Sequence, residues 1–454
     1  MTPSAYPDIA PGRLPPARIA ANFEDMKPPL DRNKALVESS RCYFCHDAPC
    51  LEACPTAIDI PGFIRMINTG NTLGAAETIL DANILGGMCA RVCPTEILCE
   101  QSCVRNLAED KPVNIGLLQR FAVDHLMQRK HRPFTRRAAT GKRVAVVGGG
   151  PAGLACAHGL ALKGHDVTIF EARSKLGGLN EYGIAAYKTT DNFAQREVEF
   201  ILSIGGIEAR TGQLLGRDIA FADLRRDFDA VFLGLGLAGV NGLGLEGENT
   251  LAGVEDAVAY IAELRQAPDK GKLKVGRRVV VIGGGNTAID IAVQTKRLGA
   301  EDVTLVYRRG PEHMTATGHE QEFAQVNGVR IKHWARPLRL IGQAGAIREI
   351  EFERTHLDDQ GRLASGGEIF SIPCDQLFKA IGQKLVRDPI DGKALQTLEF
   401  HNGKIVVNDD MKTSLDNVWA GGDCVDSGTD LTVQSVEDGK VAAQTIDRFL
   451  RGRK

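Results

Sequence analysis

The chain has 454 residues, enough for about three domains of ordinary size, and its 50 glycines cluster in short Gly-x-Gly runs. Its 55 basic and 57 acidic residues give a net charge of −2, which argues against a surface built for nucleic acid or anionic membranes. The most apolar stretch, residues 230–245, is too short and too rich in glycine to span a bilayer.

The N-terminal residues 1–30 are rich in proline and are expected to be extended or partly disordered. They lack the apolar core of a signal peptide, so the sequence predicts a cytoplasmic protein. From residue 31 to 130, apolar residues at three- and four-residue spacing predict helices. These helices are expected at Pro61–Ile67, Thr72–Leu80 and Val113–Met127.

Eight of the eleven cysteines lie in this helical region, in two runs. The runs are Cys42-x2-Cys45-x4-Cys50-x3-Cys54-Pro55 and Cys89-x3-Cys93-Pro94-x4-Cys99-x3-Cys103. A run ending in C-x3-C-P is a signature of iron–sulfur ligation, and the last cysteine of such a run can bind the neighbouring cluster. The two runs therefore predict two [4Fe–4S] clusters with crossed ligation, and hence single-electron transfer.

Structural zinc and disulfide bridges are the alternative interpretations of these cysteines. Two zinc sites would favour four short C-x2–4-C pairs, whereas the spacings around Cys50, Cys93 and Cys99 include gaps of four and five residues. Disulfides require an oxidising compartment, which the N-terminus does not indicate. The cysteine spacing favours clusters over both.

A β-α-β pattern begins after the predicted linker at residues 131–142. A short apolar strand, Arg143–Val147, is followed by the turn Gly148-Gly149-Gly150-Pro151-Ala152-Gly153. The first glycine permits a tight turn, Gly150 allows backbone N–H groups to approach a pyrophosphate, and Gly153 lets helix pack against strand. Glu171 ends the next predicted strand, where a carboxylate accepts hydrogen bonds from ribose hydroxyls.

Two further glycine motifs indicate that this first nucleotide site binds FAD. Gly177-Gly178-Leu179 follows Glu171, and Gly422-Asp423 follows a predicted strand near the C-terminus. Asp423 is expected to hold the ribityl chain. A helix from about Thr432 is expected to direct its N-terminus at the flavin and stabilise negative charge there.

The β-α-β pattern returns about 135 residues later with the turn Gly283-Gly284-Gly285-Asn286-Thr287-Ala288. Two copies of one unit imply two dinucleotide-binding domains. The second copy has Arg308-Arg309 where an acid would bind an NAD ribose, and arginine suits a 2′-phosphate. This site is expected to bind NAD(P)H, with charge favouring NADPH; an exposed arginine pair at a strand end is the alternative.

The sequence thus predicts a multidomain protein, in which an α-helical N-terminal domain with two [4Fe–4S] clusters precedes an α/β flavoprotein with an inserted NAD(P) domain. The expected segments are 1–30 (extended), 31–130 (iron–sulfur), 131–142 (linker), 143–253 and 384–454 (FAD), and 254–383 (NAD(P)).

Several stretches together resemble one family. Arg41–Pro55, Gly86–Cys103, Asn114–Phe121 and the two glycine turns are similar to the flavoprotein arm of dihydropyrimidine dehydrogenase, which bacteria make as a separate subunit. A wider set, including the small subunit of glutamate synthase, shares this organisation. Cys89 and the Pro-Thr pair after Cys93 are more similar to the pyrimidine enzyme.

The resemblance implies specific cluster ligands. It assigns Cys42, Cys45, Cys50 and Cys103 to one cluster. It assigns Cys54, Cys93, Cys99 and, unusually, Gln119 to the other. Cys89 is then a spare thiol, and a capped polar residue on an amphipathic helix is the alternative interpretation of Gln119.

The resemblance also implies nucleotide contacts. The FAD contacts are Gly150–Gly153, Glu171–Leu179, Lys188, Gly422 and Asp423; the NAD(P)H contacts are Asn286, Thr287, Arg308, Arg309 and the strand end Ala380-Ile381-Gly382. The chain departs from the family at two positions: Lys188 and Thr315 stand where arginines are expected. Thr315 weakens the preference for NADPH and leaves NADH open.

The function that the resemblance implies is electron input. NAD(P)H would reduce FAD, and single electrons would leave through the clusters to a partner subunit with FMN and iron–sulfur centres that reduces uracil or thymine. Because 454 residues leave no room for an FMN barrel of ~250 residues, the substrate site is expected on that partner. The resemblance also implies two partner subunits around a two-fold axis. The alternatives are a glutamate synthase small subunit, another subunit feeding ferredoxin-like acceptors, and a non-catalytic cluster-bearing sensor or scaffold.

Overall fold

The computed structural model describes residues 14–387, 398–426 and 428–452. The α-helices are α1 Pro16–Asn22, α2 Arg32–Ser39, α3 Pro49–Glu52, α4 Ile60–Asn68, α5 Thr72–Ala82, α6 Gly86–Val92, α7 Val104–Glu109, α8 Ile115–Gln128, α9 Pro151–Leu162, α10 Leu179–Tyr182, α11 Phe193–Leu202, α12 Phe221–Asp227, α13 Ala257–Gln266, α14 Asn286–Leu298, α15 Gly318–Val326 and α16 Thr432–Gly452. Short 3₁₀ turns lie at Thr95–Ile97, Lys270–Lys272 and Pro311–His313.

The strands are β1 Arg143–Val147, β2 Asp166–Glu171, β3 Ile207–Thr211, β4 Ala230–Leu233, β5 Gly239–Val240, β6 Val254–Asp256, β7 Arg278–Ile282, β8 Asp302–Val306, β9 Arg330–Lys332, β10 Ala335–Gln343, β11 Ala346–Leu357, β12 Leu363–Pro373, β13 Gln376–Lys379, β14 Gln383–Lys384, β15 Phe400–His401, β16 Lys404–Ile405 and β17 Val418–Ala420. The described helices include none with the length and apolar character of a membrane span.

The chain divides into two compact units. The larger unit consists of Lys27–Glu181, Asp191–Ala238 and Leu385–Lys454, and the smaller of Met1–Met26, Tyr182–Thr190 and Gly239–Lys384. This division puts the boundaries of the second nucleotide-binding region at 239 and 384, where the sequence predicted 254 and 383. It also adds the short segment Tyr182–Thr190, which no sequence pattern separates from its surroundings.

In the larger unit, helices α2 to α8 form an N-terminal domain around a core that includes Phe63, Ile79 and Leu118, each fully buried. Asp59 caps α4 by accepting a hydrogen bond from the Gly62 N–H, and α2 and α5 have similar side-chain caps. The helical character predicted for residues 31–130 is therefore present, with α4, α5 and α8 at the three places expected.

The rest of the larger unit is built on a parallel sheet in the order β17-β4-β1-β2-β3. The smaller unit has a second parallel sheet in the equivalent order β6-β13-β7-β8-β9. Each glycine turn follows the strand at the centre of its sheet, where the strand order reverses, and ligands of such folds bind there. The repeat seen in the sequence is thus a repeat of topology.

Two features of the smaller unit did not emerge from the sequence. The antiparallel sheet β10-β11-β12 follows β9. Helix α1 lies within the segment predicted to be extended, and Ile19 and Phe23 are buried in the same core as α14. Arg297 fixes it there, since its guanidinium donates to the Asn22 carbonyl oxygen at 2.9 Å. Residues 1–13 of that segment lie outside the described residues.

Candidate functional site

Four thiols line a single pocket in the helical domain. Cys42, Cys45, Cys50 and Cys103 face this pocket, which has about 370 Å³ of empty volume, part of it open to solvent. Burial, followed by the neighbouring thiols of Cys103, Cys42 and Cys45, raises the pKa of Cys50 to about 12. Thiols packed together in this way become thiolates only when a positive partner compensates their charge, as iron does.

A second group contains Cys54, Cys93 and Cys99, with Cys89 beside them. Burial raises the pKa of Cys93, and the thiols of Cys89, Cys99 and Cys54 raise it further. Cys54 therefore lies with the cysteines of the second run, just as Cys103 lies with those of the first. This exchange is the arrangement that crossed ligation requires.

Gln119 contacts α6, the helix that carries Cys89 and ends at Val92, just before Cys93. The side-chain nitrogen of Gln119, a buried residue on α8, donates to the Gly86 carbonyl oxygen at 2.7 Å. That bond leaves the amide oxygen, the atom that binds a metal, for another role. Asn83 donates to the Cys89 sulfur at 3.3 Å. The assignment of Gln119 rather than Cys89 as the fourth ligand stays a prediction.

The donor set fits iron–sulfur clusters. All eleven cysteines are described and all are free thiols. Among the described residues, no three His, Cys, Asp or Glu side chains converge on a point suited to one metal ion. A [4Fe–4S] cube instead spreads its four thiolates over four irons, and soft sulfur donors in a desolvated pocket match that requirement.

The first glycine turn has the geometry of a pyrophosphate site. Gly148 has φ +102°, and a Cβ on Gly153 would lie 1.9 Å from the Gly148 carbonyl oxygen, so α9 packs against β1 only because Gly153 has no side chain. At Gly150 a Cβ would meet only Gly178, at 3.7 Å. The backbone there is open to a ligand at the start of α9, which begins with Pro151 and Ala152.

Glu171 is held beside this turn by two backbone donors. Its carboxylate accepts from the Gly149 N–H and the Arg173 N–H, each at 2.8 Å. Each oxygen keeps a lone pair for a ribose hydroxyl. Gly177 is joined to the same turn, since its N–H donates to the Gly149 carbonyl oxygen at 2.7 Å, and Leu179 begins α10.

The C-terminal glycine motif is tied to α16, the helix predicted from Thr432. The Gly422 N–H donates to the Asp438 carboxylate at 2.8 Å, and the Thr432 hydroxyl donates to the side-chain oxygen of Asn180 at 3.0 Å. A Cβ on Gly439 would lie 2.2 Å from the Ala152 carbonyl oxygen, so α16 packs directly on α9. The two motifs that predicted FAD both lie against the start of α9, since a Cβ on Gly178 would meet Gly150 and one on Gly422 would meet Ala152.

The buried carboxylate of Asp423 lowers the stability of the folded protein, an effect that hydrogen bonds from a bound ligand would offset. Burial, with smaller contributions from Asp430 and Asp438, raises its pKa to about 6. An acid with a raised pKa in the folded state destabilises the fold above that pKa and leaves it unaffected below about pH 4.

We therefore expect Asp423→Asn to stabilise the FAD-free protein at pH 7 by about 1–3 kcal/mol, with the gain vanishing toward pH 4. The same variant should bind FAD more weakly, because its amide keeps one uncharged acceptor oxygen in place of the carboxylate predicted to hold the ribityl chain. Urea denaturation at several pH values and FAD titration measure the two effects. A variant that is less stable at pH 7 would contradict the burial argument.

The second glycine turn lies against β13. A Cβ on Gly283 would lie 2.2 Å from the Ala380 carbonyl oxygen, and Gly382 has φ +94° just beyond it. Helix α14 begins at Asn286 and Thr287, with Gly285 as its N-cap. The predicted NAD(P)H residues of the turn and of the β13 end thus meet at one edge of the sheet.

The two arginines after β8 have no charged partner among the described residues. Arg308 is exposed, and the Nε of Arg309 is buried without a hydrogen-bond acceptor. Thr315 lies beside the turn, 3.1 Å from where a Cβ on Gly285 would be. Recognition of a 2′-phosphate by these two guanidinium groups stays a prediction.

Lys188 is held by two acids of the smaller unit. Its ammonium lies 2.8 Å from the Asp290 carboxylate and 2.7 Å from that of Glu320. Although burial opposes it, these two carboxylates raise the pKa of Lys188, so it is charged at neutral pH. Its predicted contact with FAD stays a prediction.

The sequence analysis missed Glu197 on α11. This fully buried carboxylate accepts from the Gly87 N–H at 2.8 Å and the Met88 N–H at 3.1 Å, at the start of α6. Burial raises its pKa to about 8. No local signal marks it, because its partners are about 110 residues away in the sequence.

Two family models match the chain. Residues 19–131 match the model described as dihydropyrimidine dehydrogenase domain II, 4Fe-4S cluster. Residues 142–439, more than half of the chain, match pyridine nucleotide-disulphide oxidoreductase. The helical cluster domain followed by a flavoprotein fold, predicted from the sequence, is therefore confirmed.

Curated relatives match along almost the whole chain. The NAD-dependent dihydropyrimidine dehydrogenase subunit PreT of Salmonella typhimurium is 34% identical over 94% of this chain and 97% of its own. The glutamate synthase [NADPH] small chain of Escherichia coli is 33% identical over 94% of both. Among solved structures, Mycobacterium tuberculosis FprA in complex with NADPH has a TM-score of 0.57 and 20% identity over 70% of this chain and 85% of its own, which shows a shared fold.

Proposed function

Because this chain belongs to the pyridine nucleotide-disulphide oxidoreductase family and carries a 4Fe–4S domain of the dihydropyrimidine dehydrogenase type, we propose that it is an electron-input subunit. It oxidises NAD(P)H and delivers single electrons to a partner that reduces uracil or thymine. The observation that carries the proposal is the four-thiol pocket in the same compact unit as the FAD-type glycine turn.

The protein residues supply binding and geometry for this reaction. When bound, FAD accepts a hydride and the clusters carry single electrons. The first turn and Glu171 would hold the pyrophosphate and ribose of FAD, and the start of α16 would face its ring system. The second turn with Arg308 and Arg309 would hold NAD(P)H. No acid–base side chain is needed for the hydride step.

The two cysteine groups occupy different positions relative to the flavin-binding fold. The second group is next to α6, whose first N–H groups are held by Glu197 of that fold. The first group lines a pocket that opens to solvent. This supports an order in which Cys54, Cys93 and Cys99 serve the inner cluster and Cys42, Cys45, Cys50 and Cys103 the outer one.

The nucleotide preference is tested at Arg308 and Arg309. Replacing both by alanine should raise KM for NADPH about 10-fold or more while changing KM for NADH less than about 3-fold, because a charged hydrogen bond to phosphate is worth about 1.5–3 kcal/mol. Steady-state dye reduction with each nucleotide measures this. Equal changes for both nucleotides would show that the pair does not recognise a 2′-phosphate.

The partner reaction is tested by reconstitution. The purified chain is combined with a candidate FMN subunit, and NADH- and NADPH-dependent uracil reduction are measured. The proposal expects uracil consumption that requires both proteins. No turnover with any pyrimidine, although dyes are reduced, would remove the pyrimidine assignment and leave the electron-input role.

Glutamate synthase is the second candidate, because its small chain is as similar to this chain as the pyrimidine subunit is. In that case the same electrons would serve glutamine and 2-oxoglutarate on a different partner. Turnover of those substrates, with none of uracil, would select this alternative. Colourless protein with bound zinc would instead favour the non-catalytic scaffold.

A further inference from the structure

A lysine of the flavin-binding fold is fixed against the cluster domain. Lys440 lies on α16, and its ammonium donates to the carbonyl oxygens of Thr56 at 3.2 Å and Ala82 at 3.1 Å. It also forms an ion pair with Glu437, one turn earlier on the same helix, at 2.6 Å. The side chain is largely enclosed, with 29% of it exposed.

The two acceptors lie near the inner cysteine group in different ways: Thr56 is two residues after Cys54, and Ala82 precedes Asn83, which contacts Cys89 beside that group. The Thr56 hydroxyl lies 3.4 Å from the sulfur of Cys54. Asn83, which follows Ala82, donates to the sulfur of Cys89 at 3.3 Å. The ammonium of Lys440 is therefore brought to the inner group by two separate segments of the chain.

We propose that Lys440 is a positioning residue that raises the reduction potential of the inner cluster and so favours electron transfer from the flavin. The inference rests on the proposed function. Adding an electron to a cluster adds a negative charge, and nearby charge is one of the means by which a protein tunes that potential. At about 10 Å and an effective dielectric constant of about 20, one unit charge changes the equilibrium on the order of tenfold.

Replacing Glu437 gives a matched control whose effect on the reduction potential should have the opposite sign. Its carboxylate lies beside the ammonium on the same helix face and offsets part of the positive charge. Lys440→Met removes the cation and leaves this anion, whereas Glu437→Gln removes the anion and leaves the cation. A purely structural disturbance of α16 would not shift the potential in opposite directions in the two variants.

The test is a redox titration of the reconstituted protein with dithionite, followed by electron paramagnetic resonance. For Lys440→Met we expect one cluster to become harder to reduce by about tenfold in equilibrium constant. The same cluster should become easier to reduce in Glu437→Gln, and Lys440→Arg should remain near the parent value. Unchanged potentials, or shifts of the same sign in Lys440→Met and Glu437→Gln, would overturn the proposal.

Two controls keep this result separate from the proposed function. Dithionite reduces the clusters without NAD(P)H, so the titration stands even if the nucleotide or partner assignment fails. Hydrogen exchange over residues 82–88 reports whether Lys440→Met loosens the cluster domain. If Lys440→Met loses iron, Glu437→Gln alone must still raise the potential, and its failure to do so would overturn the inference.

Discussion

Cys93→Ala is expected to lose one whole cluster, leaving about four of the eight irons that two [4Fe–4S] clusters contain. Cys93 lies among the buried thiols of the inner group, so its loss removes a ligand that no solvent molecule replaces well. Electron delivery to the partner should stop, while NAD(P)H should still reduce the flavin. Iron analysis and stopped-flow absorbance measure the two effects.

Gln119→Ala and Cys89→Ala decide the fourth ligand of the same cluster. The assignment of Gln119 predicts that Gln119→Ala loses iron and that Cys89→Ala keeps it. Loss of iron only in Cys89→Ala would make the inner cluster an all-cysteine site. The four irons per chain expected in the unchanged outer group serve as the internal reference in both variants.

Lys188→Met is expected to destabilise the protein by about 3–5 kcal/mol, because it leaves a buried charge pair without its cation. Asp290 and Glu320 would remain as two enclosed carboxylates, with side-chain exposures of 7% and 15%. Urea denaturation of the FAD-free protein, followed through the smaller unit, measures the change.

Two controls define what the Lys188 result means. Lys34→Met removes an exposed lysine that also pairs with an acid, and it should change stability by no more than about 1 kcal/mol. The triple variant Lys188→Met, Asp290→Asn and Glu320→Gln should recover much of the loss, because no charge is left buried. A loss that persists in the triple variant would indicate packing rather than charge as the cause.

The two nucleotide-binding modules could be predicted from the sequence because their motifs are local. The turn at Gly148–Gly153 needs glycine for reasons of φ and close approach, and strand, turn and helix follow one another within thirty residues. The second copy has the same order of strand, turn and helix around Gly283–Ala288. The exchange of the last cysteine between the two runs could also be predicted, because iron–sulfur runs of this spacing give their last cysteine to the neighbouring cluster.

Long-range contacts could not be predicted from the sequence. Glu197 meets Gly87 and Met88 about 110 residues away, and Lys440 meets carbonyl oxygens more than 350 residues away. Such pairings depend on how packed domains approach each other, which periodicity does not report. Helix α1 was missed for a related reason, because its proline-rich surroundings suggest an extended chain, whereas its burial against α14 stabilises a helix.

One anaerobic measurement shows whether electrons from NAD(P)H reach the N-terminal clusters. Protein loaded with FAD and iron is mixed with NADH or NADPH and frozen for electron paramagnetic resonance after its flavin absorbance is recorded. We expect loss of flavin absorbance together with the signal of reduced [4Fe–4S] clusters, and no such cluster signal in a variant that lacks Cys45 and Cys93. Reduced flavin with clusters that remain oxidised, although dithionite reduces them, would contradict it.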